Sequence, residues 1–136
     1  MAVVTIIGLI VGLATPKMDD ILNRAKITRA IGDLRALSTE LTTASTLPAT
    51  LAGIGRAGML DPWGRPYVYF PFPPSSRNAP PRGARKDRVL VPINSAYDVY
   101  SLGRDGGTAA PLTAKASLDD VIVANDGGFI GLAKRY

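Results

Sequence analysis

The chain has 136 residues, 46% of them hydrophobic, and its 16 basic and 11 acidic side chains give a net charge of +5. That is enough apolar material for a core, so global disorder is excluded, and the length suits one domain plus an extension. Neither cysteine nor histidine occurs, which removes disulfides, thiolate metal sites and imidazole-based acid–base chemistry and points away from an enzyme.

Residues 1–15, MAVVTIIGLIVGLAT, carry no charged side chain, and Pro16 and Lys17 end the run. The stretch is shorter than the roughly 20 apolar residues of a membrane span and lacks the basic flank of a secretory signal. Beyond it, Ile27, Ile31, Leu34, Leu37 and Leu41 recur every three or four residues, which predicts an amphipathic helix over 17–45. Proline at position 16 kinks a helix without necessarily ending it. The expectation is one helix of two halves, about 60 Å long if residues 1–42 are helical throughout. An amphipathic half can lie on a sheet. An all-round apolar half in so short a chain needs lipid or copies of itself. The predicted division is therefore 1–16, an apolar half-helix, and 17–136, a globular head that includes the amphipathic half.

The segment TTASTLPATLAGIGRAG reads as a connecting loop, because Pro48 and its glycines break the helical pattern. Short strand-like pieces follow at 66–70 (PYVYF), 88–93 (RVLVPI) and 96–102 (AYDVYSL), with one further short element in DDVIVANDGGFIGLA. The proline-rich stretch after Phe70 reads as a long hairpin-like excursion. The fold class expected is α+β, a long helix on a small antiparallel sheet.

Charge is unevenly placed. Residues 56–89 hold seven basic groups against two acidic ones, most of them in SSRNAPPRGARKDR. A nucleic-acid contact there is possible but unsupported: no aromatic side chain interleaves with the arginines and no helix presents them, so the stretch reads as a solvated, proline-rich loop. In DPWG, Asp61 is placed to accept backbone hydrogen bonds, Pro62 to fix the first turn dihedral, Gly64 to allow the return and Trp63 to cover the turn, a structural device that launches a strand. SLGRDGG leads after a loop into SLDD. If that loop folds back, Asp105, Asp119 and Asp120 converge, with Asp126 a more distant candidate, and carboxylates with glycine-permitted turns suit calcium. The spacing is not that of an EF-hand. Acids in such loops are also commonly turn and cap residues.

These pieces together resemble a known family. VVTIIGLIVGLATPKM is similar to the N-terminal helix of type IV pilin-like proteins, and Pro16 matches the proline at that helix's kink. DPWGRPYVYF, and YDVYSLGRDGG followed by DDVI, resemble the C-terminal region of the major pseudopilin of type II secretion systems, leaving 71–87 and 106–116 unmatched. The resemblance implies a pilin-like fold and a structural subunit of a pilus or pseudopilus that polymerises through its N-terminal helix. It implies a helical homo-oligomer, storage in membrane lipid before assembly, and inner-membrane assembly machinery and minor pilins as partners. It also implies a bacterial inner-membrane location with a periplasmic head, then a filament in the periplasm or at the cell surface. The family's calcium site carries over as the main-chain carbonyl of Leu102 with the carboxylates of Asp105 and Asp119 or Asp120, although GGTAAPLTAKASL replaces a shorter glycine-rich loop. The family's basic leader, its methylated N-terminal residue and the glutamate just after it do not precede Met1, so the expectation is a late-assigned start or a trimmed sequence. The alternative reading is a monomeric membrane-tethered module that binds calcium or polyanions.

Overall fold

The computed structural model describes residues 2–136, apart from the side chains of residues 2–16 and of Arg77. One helix, α1, runs Ala2–Thr43. Four strands follow, β1 (Val68–Pro71), β2 (Tyr97–Ser101), β3 (Val121–Ala124) and β4 (Phe129–Leu132). They form an antiparallel sheet in the order β1-β2-β3-β4. The α+β layout read from the sequence is thus present, and the helix is a single element. The apolar character assigned to 1–16 and the kink at Pro16 fall outside the described side chains. Among the described residues, no helix is both long and apolar enough to cross a membrane.

The period-four row of the helix does what its spacing requires. Ala30, Leu34, Leu37 and Leu41 are buried and meet Val99, Val121, Val123 and Leu132 from one face of the sheet. Leu34 and Leu37 are fully buried, each worth roughly 2 kcal/mol of transfer free energy. Polar ties fix the packing angle. The Tyr67 hydroxyl donates to Asp33 at 2.8 Å, the Tyr97 hydroxyl donates to the Ser38 carbonyl at 3.2 Å, and Arg56 clasps Glu40, its Nε donating at 2.9 Å.

Three local readings are corrected by the fold. RVLVPI at 88–93 is not a strand: Asp87 and Leu90 exchange both backbone bonds, at 2.9 and 2.7 Å, around Arg88 and Val89. Pro92 has no amide to give to a ladder, and Arg88 takes a left-handed φ of 49°, so the segment turns instead of extending. The C-terminal stretch makes two strands where one element is expected. Asn125, Asp126 and Gly127 have φ of 53°, 53° and 94°, and this close turn returns β4 along β3 from Ala124↔Phe129 to Val121↔Leu132. Finally, the excursion between β1 and β2 is not a free loop. It lies over the second face of the sheet, where Ile93, Leu112, Ile122, Ala124 and Ala133 form a small core of their own.

Candidate functional site

The loop after β2 is built from its base upward by Asp61. One carboxylate oxygen accepts from the amides of Trp63 at 3.0 Å and Arg65 at 2.9 Å, while the Gly64 amide returns to the Asp61 carbonyl. This is the turn expected of DPWG. The other oxygen accepts from the Ser101 hydroxyl at 2.6 Å, and Ser101 Oγ in turn accepts from the Gly103 amide at 3.1 Å. Arg65 reaches across to donate to the Gly103 carbonyl at 2.9 Å. A buried aspartate therefore locks the strand-launching turn to the start of the GRDGG loop.

At Gly103 the loop passes so close to the chain before β3 that an added Cβ would stand 2.2 Å from the Asp119 carbonyl oxygen, and φ there is +66°. Only glycine fits this crossing. The crossing brings Asp105 and Asp119 together. The Asp105 amide donates to Asp119 Oδ2 at 2.9 Å, and Asp105 Oδ1 accepts from the Gly107 amide at 2.8 Å. Burial is the chief cause that pushes the Asp119 carboxyl above its usual range. The Asp105 amide opposes that push and the Asp105 carboxylate adds to it. Asp119 Oδ1 is buried with no hydrogen-bond partner, and so is Asn23 Oδ1 on α1. Both residues line a cavity of about 260 Å³ with Ile27, Trp63, Arg104 and Lys134. Leu102, directly after β2, is half-buried beside this crossing.

Asp120 goes elsewhere. Asp119 lies in the turn before β3 and lines the cavity beside Asn23 and Ile27 of α1, whereas Asp120, directly before β3, faces the outer side. There Asp120 Oδ2 accepts from Arg85 Nη2 at 2.7 Å and from the Thr108 hydroxyl at 2.5 Å. Arg85 and Asp120 are 2% and 0% exposed. The guanidinium lies 4.3 Å over the Tyr100 ring, an arrangement that favours the cation. Its own amide donates to Asp98 Oδ2 at 2.7 Å, and Asn94 bridges Asp98 to the Val123 carbonyl, 2.9 Å to each. Burial pushes the Asp120 carboxyl up to about 6, against the opposing pull of Thr108 and Arg85, and raises Asp98 for the same first cause. Asp126 sits at the far end of β3, with Oδ1 accepting from the Ser95 amide at 2.7 Å.

Of the four residues singled out for calcium, the fold joins Asp105 and Asp119 beside Leu102 and removes Asp120 into an ion pair. Among the described residues, no group of three or more acidic side chains is placed to hold a metal. The pair still fits a hard cation in one respect: an orphaned carboxylate oxygen beside a second carboxylate, where backbone carbonyls can complete an oxygen shell. Arg85 was missed by reading its segment as solvated. Only the small residues Gly83 and Ala84 before it hint at close packing. No protein-family model, curated protein or solved structure matches the chain.

Proposed function

We propose that the chain is a structural subunit of a pilus or pseudopilus filament, polymerising through α1. One observation carries this reading. Below its buried stretch the helix bears a second apolar face: Met18, Ile21 and Leu22 are 54%, 58% and 52% exposed. By helical spacing they lie roughly opposite the row that packs on the sheet. A helix committed to its own domain on one side and apolar on the other suits packing against copies of itself. The apolar sequence of residues 2–15 extends that character toward the N-terminus. Lipid shields the same surface before assembly, which fits an inner-membrane location with a periplasmic head and delivery to assembly machinery and minor pilins.

In this reading calcium binds at Asp105 and Asp119 with the Leu102 carbonyl, and Asp120 serves the fold instead. The ion would neutralise the carboxylate pair and close the 102–122 loop, so its role is structural. The head would then depend on calcium for stability, and assembly would depend on the head.

Negative-stain electron microscopy of the full chain in a membrane with its assembly machinery tests the proposal. Thin filaments are expected, sparser under a chelator. Absence of filaments with the machinery present would overturn it. For the ion, Asp105→Ala should lower the melting temperature more with calcium than in chelator, where only the turn bond to the Gly107 amide is lost, because a ligand of the native state stabilises by mass action. An equal loss in calcium and in chelator would remove the metal and leave the filament reading standing.

A further inference from the structure

The outer layer of the molecule carries a feature that neither the filament nor the calcium reading uses. Residues 85–93 form a tongue with both stems anchored. Arg85 and Ile93 are buried, the Ile93 amide donates to the Arg85 carbonyl at 3.2 Å, and Lys86 is bonded to Ala110 and Leu112 through its backbone at 3.0 and 2.8 Å. From this base the tight turn at Asp87–Leu90 projects three consecutive aliphatic side chains into solvent. Val89 is 97% exposed, Leu90 49% and Val91 41%. Exposed cations precede them in the chain, Lys86 and Arg88 within the tongue and Arg82 just before it, against one half-buried acid, Asp87. Among the described residues, no ion pair engages any of the three cations.

Such a tip needs an occupant that is both anionic and apolar. The grooves of a second copy of this chain do not offer one. Those described are rimmed by Arg24 and Arg135, by Arg104 and Lys134, by Arg56 in its pair with Glu40, by Arg35, or by Arg82, and none carries an acidic excess. A nucleic acid would use the cations and leave the aliphatic tip idle, since no aromatic ring stands there to stack on bases. A bilayer uses both parts. Its headgroup phosphates meet the basic flanks, and its acyl boundary takes the aliphatic residues. We propose that the 85–93 tongue docks on an anionic lipid surface. The base of the tongue, Arg85 and Ile93, packs on the face of the sheet away from α1. The inference stands independently of the filament reading.

The absence of cysteine allows a clean test. The full chain with one cysteine added before Met1 is coupled to resin through that thiol, leaving the outer layer free. Capture of fluorescent phosphatidylcholine vesicles is then measured with and without phosphatidylglycerol. Anionic vesicles should be retained roughly tenfold better than neutral ones, and added salt should reduce the difference. Val89→Ser/Leu90→Ser should abolish that preference, as should Arg88→Asn, which keeps a residue tolerant of the left-handed turn. These side chains are exposed, so unchanged thermal melting of both variants confirms the fold. As a second readout, Val89→Trp should show a blue-shifted emission with anionic vesicles beyond that of Trp63. Equal capture of both vesicle types, surviving in the variants, would assign binding to the helix and overturn the proposal. Capture lost with the cations but kept in Val89→Ser/Leu90→Ser would mark a general polyanion surface and overturn it as well.

Discussion

On the helix side of the sheet, Val99, Val121, Val123 and Leu132 meet Ala30, Leu34, Leu37 and Leu41 in an aliphatic seam, with polar contacts at its margins. On the other side, Asp98 of β2 and Asp120, directly before β3, meet Arg85, Asn94 and Thr108. Regular elements with complementary apolar stripes need no charge to find each other. An irregular segment has no stripe, and here its position is specified by a guanidinium that must find particular acceptors in an apolar setting. The aliphatic face tolerates loss of one side chain as a cavity. The polar face, once opened, leaves a buried charge behind.

The sharpest way to break the contrast is Arg85→Ala. It strands Asp120 without its cation and should cost about 3–5 kcal/mol, the range for opening a buried pair, read as the shift of a urea or thermal transition. The double change Arg85→Met/Asp120→Leu should restore most of that loss, because it removes both charges and keeps volume. If the double variant is as unstable as the single one, the pair holds the excursion through geometry that apolar packing cannot supply. On the helix side Leu37→Ala should cost about 3 kcal/mol through lost burial and a residual cavity. There, a compensating charge elsewhere should recover nothing.

What the sequence makes legible follows the same division. The row Ile27–Leu41 and the β-rich pieces announce a helix on a sheet because periodicity is a local property and burial obeys it. DPWG is equally local: an aspartate, a proline and a glycine within four residues suffice to specify the turn. The route of Arg85 is not local. Beyond the small residues Gly83 and Ala84, little between Pro80 and Arg88 distinguishes the arginine that is buried from those that stay in water, since the choice depends on Asp120, 35 residues away. The separation of Asp119 from Asp120 was within reach. VIVA directly after the pair marks a strand, and its alternation assigns Asp120, next to Val121, to the face opposite the helix. The return at NDGG was also readable, as glycine with asparagine and aspartate between two apolar runs.

A titration sharpens the comparison further. Burial holds Asp120 at about 6 in the folded chain, against roughly 4 for an unfolded aspartate. Between those values the native state holds a proton that the unfolded state has released, so stability is greatest at the acid end and falls as pH rises from about 4 to about 6. The decline should be on the order of 1–3 kcal/mol. Other carboxylates titrate over part of this range, so the measurement is the difference in slope between the native chain and Asp120→Asn, which should lack the decline. An identical slope in the two would mean that Arg85 keeps Asp120 ionised throughout and that burial is the weaker influence.

The smallest effect expected lies at the boundary between the two kinds of contact. Tyr67 packs its ring into the aliphatic core and sends its hydroxyl to Asp33 at 2.8 Å. Burial, and then the bond to Asp33, raise the phenol above its ordinary value, so it remains a neutral donor across the working pH range. Tyr67→Phe keeps the ring and removes only the donor. Asp33 is half-exposed and can exchange the lost bond for water, so the cost should be about 1 kcal/mol and not the several expected for a stranded buried charge. Measured beside Arg85→Ala in the same denaturant, it separates two cases that both remove a hydrogen bond to an aspartate. A loss at Tyr67 as large as at Arg85 would mean that solvent access to the acceptor does not set the cost, and the contrast between the two faces would fail.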